Sequence, residues 1–191
     1  FQPNHYWYIT KNQLDYKFDS LKQTIKQPLK PSEFYLKLAP IIADVREGHL
    51  RLVPLEKKLT KKETKKLKNQ KGLLSRFNYV IQDNHLYLKD NAENVGNLKV
   101  GTELLKINDV PVAEILNKYR PLVTSDGYNT TYQKYSLARR FNTYFTLEYG
   151  ILDSVKVEAK LKDSIQNLVL KRETKTKTEK KKEKQDQKLT Q

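Results

Sequence analysis

Residues 100–112, VGTELLKINDVPV, combine the signals for a turn, a strand, a second turn and the start of a helix. Gly101 lets the chain turn sharply, and the apolar pattern over residues 104–107 predicts a strand that enters a core. The pair at 108–109, Asn-Asp, tolerates left-handed backbone and therefore predicts a tight turn. Apolar side chains then recur on one face of residues 112–119, which predicts a helix packed against the strand.

Downstream, Asp126-Gly127 predicts a turn, and the pattern over residues 137–145 is typical of a helix. Three further apolar runs, at 147–149, 155–161 and 168–170, predict strands.

Upstream, two apolar runs at 77–81 and 86–88 flank Asp83-Asn84, which predicts a β-hairpin with a tight turn. Farther toward the N-terminus, Thr10 and Gln13 have the spacing of a capping box, in which two side chains satisfy free backbone donors at a helix start.

A second helix is expected to follow, with Ser32 as its N-cap. Pro40 lies inside this helical pattern and predicts a kink or a break. Gly48 is placed to end the helix in a left-handed conformation, and the alternating residues 49–53 predict a strand.

The chain of 191 residues carries a net charge of +15. Residues 56–71 hold eight Lys against two Glu, and residues 171–191 hold nine Lys or Arg against four acidic residues. These two stretches carry +11 of the total, so the rest of the chain is only mildly basic. Lysine runs attract phosphate, but aromatic residues are not interleaved with them, and a solvated basic linker or tail explains them better than specific nucleic-acid binding.

The sequence contains no Cys, which excludes disulfides, cysteine nucleophiles and structural zinc clusters built on thiolates. It also contains no Met, so the expectation is a mature or trimmed product that has lost its signal peptide. No apolar run has the length of about 20 residues that a membrane helix needs. His5 and His85 have no neighbours at metal-ligand spacing, so no metal site is expected.

Residues 100–112 resemble the signature of PDZ domains: a Gly and an acidic residue, an apolar strand, an Asn-Gly type of turn and an apolar residue that opens a helix. Asp109 stands where that family usually has Gly, and Glu103 takes the acidic position.

The flanking sequences resemble the C-terminal-processing (tail-specific, tricorn-core-like) serine peptidases. Residues 125–129 with Thr131-Tyr132 are similar to an insertion in the PDZ-like domains of these enzymes. Residues 43–50, ADVREGHL, resemble the Asp-Gly-His-Thr signature that ends their helical N-terminal domain, although Glu47 replaces the Asp and Leu50 the Thr. The resemblance covers residues 4–170.

The resemblance implies an α+β chain with a helical N-terminal cap over residues 1–55 and a PDZ-like domain over 72–170. Residues 56–71 would be a lysine-rich linker. Residues 171–191 would be a basic linker or tail leading to a catalytic domain that this chain does not contain. The family also implies a periplasmic or other extracytoplasmic location.

Within this family, a His in the position of His49 is in some branches the general base for a serine of a later domain, and in others it is structural. Both roles remain open for His49. The PDZ-like domain implies binding of an extended polypeptide, close to its free C-terminus. The turn at Gly72-Leu73-Leu74-Ser75 is the positional candidate for holding the carboxylate; the alternative is a plain connection into a strand.

The serines of this chain lack the Gly-x-Ser-x-Gly context of a hydrolase nucleophile. With this absence, the resemblance implies a non-catalytic, substrate-presenting part of a secreted serine endopeptidase that needs no cofactor and is inactive alone. A free-standing PDZ-type binding or scaffolding module of the cell envelope is the alternative. Attraction of the basic tail to anionic lipid is a further possibility, which its interspersed acidic residues weaken.

Overall fold

The secondary structure places helices before a β-rich region. The computed structural model describes residues 6–50, 52–53, 71–91, 93 and 95–172. Within these residues the helices are α1 (Lys11–Thr24), α2 (Pro31–Ala43), α3 (Val112–Tyr119) and α4 (Thr130–Tyr149). The strands are β1 (Asn78–Gln82), β2 (His85–Asp90), β3 (Glu103–Ile107), β4 (Val110–Pro111), β5 (Ser154–Leu161) and β6 (Ser164–Lys171). The fold is α+β, as the sequence predicts. Most of the lysine-rich stretch 56–71 and of the tail 171–191 lies outside the described residues.

The N-terminal helices are defined by their caps. At the start of α1, the Gln13 N–H donates to the Thr10 hydroxyl over 3.2 Å, and the Thr10 N–H donates to Gln13 Oε1 over 2.9 Å. This confirms the predicted capping box. α2 begins at Pro31, before the predicted cap at Ser32, and Glu33 Oε2 accepts the Lys30 N–H over 2.9 Å.

Pro40 does not break α2, contrary to the sequence expectation. The helix continues to Ala43, and the Pro40 carbonyl still accepts the Asp44 N–H over 3.1 Å. Proline removes one donor from the ladder, and here this happens within the last turn, where little helix remains to be disrupted. Arg46, with φ of 55°, takes the left-handed conformation that the sequence assigned to Gly48.

The six strands form one antiparallel sheet. Its strand order is β1-β2-β3-β5-β6, and the short β4 pairs with β3. In this order β1 and β6 are the two edges of the sheet among the described strands. The two-residue turn between β1 and β2 has φ of 46° at Asp83 and 66° at Asn84, which confirms the predicted hairpin.

The strand–turn–helix unit predicted from residues 100–112 is confirmed. Asn108 and Asp109 both have positive φ, 48° and 67°, and Ile107 pairs with Val110 across the turn. The Asn108 side-chain oxygen accepts the Lys156 N–H over 2.9 Å. The turn that joins β3 to β4 is thereby also joined to β5, the neighbouring strand.

Two strand predictions are wrong. Residues 147–149 are the last turn of α4, because the apolar face of that helix continues through Phe145 and the helix ends only at Gly150. His49 and Leu50 lie in a turn and Leu52-Val53 are not in a strand. No strand of the described sheet pairs with them, and an alternating sequence needs such a partner to become a strand.

The core lies between α3, α4 and the sheet. Phe141, at the centre of α4, is fully buried, and its ring centroid lies 5.3 Å from that of Tyr79 on β1 and 6.0 Å from that of Tyr119 on α3. Such aromatic pairs contribute about 0.5–1.5 kcal/mol each beyond the burial of their area. Phe141 therefore connects the long helix to the edge strand and to the shorter helix.

We expect Phe141→Ala to lower the free energy of unfolding by about 3–5 kcal/mol, because it leaves a cavity that the sheet and two helices line. Urea denaturation followed by circular dichroism measures this loss. Phe34→Ala, at a half-exposed position on α2, is the matched control and should cost about 1 kcal/mol at most. Equal losses for the two variants would contradict the central position of Phe141.

Burial raises the pKa of Tyr79, whose hydroxyl donates to the Leu74 carbonyl over 2.8 Å. Because this pKa is raised in the folded state, the stability that it contributes is fully present below the unfolded-state pKa of about 10. That contribution falls as the pH rises above this value. Above pH ~10 the free energy of unfolding of Tyr79→Phe should therefore fall less steeply with pH than that of the wild type. The two slopes should differ by about 1.4 kcal/mol per pH unit.

Urea unfolding at a series of pH values between 8 and 11 tests this prediction. Tyr16→Phe, at a position with 75% exposure on α1, is the control and should follow the wild-type profile. Identical profiles for Tyr79→Phe and the wild type would show that Tyr79 ionises in the folded state.

Candidate functional site

The turn that carries His49 is attached to a turn far away in the sequence. The Gly48 N–H donates to Asp126 Oδ1 over 2.7 Å. Arg46 adds two contacts: its carbonyl accepts the Gly127 N–H over 3.0 Å, and its guanidinium Nη1 lies 3.3 Å from the Gly127 carbonyl. The Gly-His stretch and the Asp-Gly turn, which the sequence singled out separately, therefore form one unit.

Gly48 lies in close contact with Asp126. A Cβ added at Gly48 would lie 2.8 Å from Asp126 Oδ2, so a larger residue would displace the Asp126 side chain. On the other side of the turn, the Arg46 guanidinium lies 4.2 Å from the ring centroid of Tyr128. Tyr8 meets the same ring edge-on at 5.7 Å between centroids. These contacts hold residues 46–48 against the N-terminal segment as well.

His49 is exposed to solvent at the end of this unit. Its backbone N–H donates to Glu47 Oε1 over 3.2 Å, and its imidazole makes no hydrogen bond or ion pair with any residue that the structure describes. An exposed imidazole on a fixed backbone can accept a proton from a group brought to it. The structure does not test its assignment as a general base, which stays a prediction.

A groove of about 940 Å³ runs between the edge strand β1 and the helix α4. The strand contributes residues 78–81 to its wall, and the helix contributes residues spaced three or four apart, from Thr131 at one end to Asn142 and Thr143 at the other. This spacing places the helical residues on one face. The groove is therefore open along its length and has one wall of strand and one of helix.

The strand wall offers backbone hydrogen-bonding groups that no other described strand uses. Gln82 pairs with His85 next to the two-residue turn, and Val80 pairs with Tyr87. In an antiparallel pair the hydrogen-bonded positions alternate with positions whose N–H and C=O point to the other side. Tyr79 and Ile81 therefore direct their backbone groups away from β2, toward the open edge.

One end of the groove meets the turn at Gly72-Leu73-Leu74-Ser75. Leu73 and Leu74 are buried, and Ser75 lines the groove. The Ser75 N–H and hydroxyl both donate to the Gly72 carbonyl, over 3.0 and 2.6 Å, so this N–H is already used within the turn. Capture of a carboxylate by this turn stays a prediction and would depend on its other amides.

Asn142 lies at the same end of the groove. Its Oδ1 is buried and has no hydrogen-bond partner among the described residues. A Cβ added at Gly72 would lie 3.0 Å from this oxygen, so the helix and the turn are in close contact here. A buried acceptor without a partner is costly to the folded state.

The structure separates the two predicted sites. Residues 72–75 stand beside the groove, whereas His49 belongs to the turn held by Asp126. The sequence did not identify the helix wall, because the residues between Thr131 and Thr143 had no chemical motif. Their spacing of three or four residues was a usable signal, since it places them on one face of a helix.

Neither metal-binding clusters nor membrane-spanning helices are found in the described parts of the chain. No three His, Asp or Glu side chains come together there in a way that would hold a metal ion. None of the helices described has both the length and the apolar character needed to span a lipid bilayer.

Comparison with solved structures finds a similar fold in part of a longer chain. The chain is similar to part of CPAF, a chlamydial C-terminal-processing serine protease. With CPAF complexed with lactacystin, the TM-score is 0.50 and the sequence identity 15%, covering 82% of this chain and 28% of that one. With a serine-to-alanine variant of CPAF, the TM-score is 0.50 and the identity 16%, covering 82% of this chain and 27% of that one.

This likeness concerns the fold alone, since the identity is low and the chain spans little more than a quarter of the length of the CPAF chains. No family model matches the sequence. No curated protein matches it either.

We expect Asp126→Ala to increase hydrogen exchange at the Gly48 amide about tenfold, because the variant removes the acceptor of that N–H. Hydrogen–deuterium exchange of the segment 44–50 measures the change. Asp126→Asn retains an acceptor oxygen and should keep most of the protection. Asp19→Ala, at an exposed position on α1, should leave the segment unchanged. Unaltered exchange in Asp126→Ala would show that this hydrogen bond does not hold the His49 turn.

Proposed function

We propose that this chain is the substrate-binding, non-nucleophilic part of a C-terminal-processing serine peptidase. In this proposal residues 72–170 act as a PDZ-like domain, and an extended polypeptide binds in the groove between β1 and α4. The observation that carries the proposal is the combination of a free strand edge with a helix face across an open groove. The fold-level likeness to part of CPAF agrees with it.

Binding by strand addition follows from the chemistry of the edge. A polypeptide lying beside β1 would pair its backbone with the outward N–H and C=O groups of Tyr79 and Ile81. Each such hydrogen bond contributes a net of about 0.5–1.5 kcal/mol, largely independent of the peptide sequence. Side chains on one face of the peptide would then meet α4, so the helix would select among sequences.

The same proposal gives His49 a role in a larger enzyme. His49 would be the general base for a serine supplied by another domain, and the Asp126 contact would position its turn. The helical cap over residues 1–55, the linker over 56–71 and the tail over 171–191 would connect these parts. The extracytoplasmic location belongs to this proposal through the family resemblance.

A free-standing PDZ-type module is the second candidate, since the groove alone supports peptide binding without catalysis. The two candidates differ in the need for His49. In the peptidase, His49→Ala would abolish turnover by the complete enzyme, whereas in a binding module it would leave every measurable function intact.

Backbone-methylated peptides test strand addition directly. In an added strand every second N–H points to β1, and the intervening ones point to solvent. We expect a ten-residue peptide methylated at the set of nitrogens that faces β1 to bind the 191-residue chain at least tenfold more weakly, because two or more hydrogen bonds are lost. The peptide methylated at the other set should keep its affinity. Fluorescence anisotropy measures both, with free and amidated C-termini compared.

A blocked groove provides the protein-side control. Thr143 is exposed and lines the groove, so Thr143→Trp should fill it without disturbing the core. Thr24→Trp adds the same side chain on α1, away from the groove. Binding that survives Thr143→Trp, or that is equally sensitive to both methylation patterns, would overturn the proposed site.

A further inference from the structure

The charged side chains that line the groove are mostly cationic. Lys89 on β2 and Lys134 and Arg139 on α4 line it, and Asp90 is the one carboxylate among the lining residues. Lys89, Lys134 and Arg139 are all exposed. The groove therefore presents three positive charges against one negative charge.

The three cations have no carboxylate partner among the described residues. Lys89 and Lys134 form no salt bridge with any residue there, and Arg139 lies over the ring of Tyr135, 5.5 Å from its centroid. On the sheet, by contrast, Lys106 is paired with Glu158 over 3.0 Å.

The one acid has a neutral partner: Asp90 Oδ2 accepts a hydrogen bond from the Asn78 side-chain amide over 3.3 Å at the strand end of the groove.

The chain's own basic segments are unsuited to this groove. Residues 54–70 hold seven Lys against two Glu, and residues 173–191 hold seven Lys against four acidic residues. Like charges in the groove disfavour both. Charge complementarity therefore points to an anionic occupant supplied from outside the chain.

We propose that the groove between β1 and α4 selects polypeptide segments that carry acidic side chains. The inference rests on the proposed function and names the class of substrate for that same groove. Lys134 and Arg139 are five residues apart on a helix, about 7.5 Å along its axis. This matches about two residues of an extended strand. The two side chains leave the helix about 140° apart, and both line the groove, so each would meet a different carboxylate of the peptide.

A pair of neutral and acidic peptides tests the selection. Both peptides have ten residues, in which Thr alternates with a variable residue. They differ only at two alternate central positions, which hold Gln in one peptide and Glu in the other. We expect the Glu peptide to bind the wild-type chain about tenfold more tightly than the Gln peptide at low salt, as two partly exposed charge pairs allow. The preference should fall as salt is raised.

The double variant Lys134→Gln/Arg139→Gln locates the effect. It should reduce the preference for Glu to about twofold or less. Lys99→Gln/Lys160→Gln removes the same net charge at exposed positions outside the groove and should keep the tenfold preference. Urea unfolding of both double variants checks that each remains folded.

The outcomes separate this inference from the proposed function. Equal binding of the Glu and Gln peptides to the wild type would overturn the acidic selection and leave strand addition standing. An equal loss of preference in both double variants would also overturn it, because the attraction would then come from the overall charge of +15. Failure of both peptides to bind would sink the proposed function itself.

Discussion

The packing of α4 across the sheet is the constraint on which the rest of the structure depends. Phe141 is fully buried and touches the rings of Tyr79 on β1, Tyr119 on α3 and Phe145 on its own helix. These contacts set the distance between the long helix and the edge strand. The groove exists because the helix is held beside the strand without covering its outer hydrogen-bonding edge. The same interaction that stabilises the fold therefore shapes the candidate site.

A second constraint joins the N-terminal helices to the β-rich region. The bond from the Gly48 N–H to Asp126 and the contacts of Arg46 with Gly127 and Tyr128 connect segments about 80 residues apart in sequence. The His49 turn is thus fixed relative to the turn that precedes α4. In the proposed peptidase, this arrangement would hold the general base and the substrate groove on one rigid support.

The likeness to part of CPAF relates the fold to a protease without determining what the chain binds. The chemistry of the groove supplies the more specific statements. A free strand edge provides affinity for any extended backbone, and the unpaired cations on its walls provide a criterion for choosing among side chains. Affinity and selectivity would then come from different atoms, which is why they can be tested separately.

The sequence by itself determined the local elements whose signals are short in range. The capping box at Thr10 and Gln13, the hairpin turn at Asp83-Asn84 and the strand–turn–helix of residues 100–112 depend on neighbouring residues, and all three were predicted correctly. Only the tertiary structure decided that residues 147–149 extend a helix and that residues 49–50 form a turn, because a strand requires a partner that the sequence does not specify. It alone also created the groove, since β1 and α4 are some fifty residues apart and meet through aromatic packing. The charge of Lys134 and Arg139 was visible from the start, but their common position beside an open strand edge is a property of the folded chain.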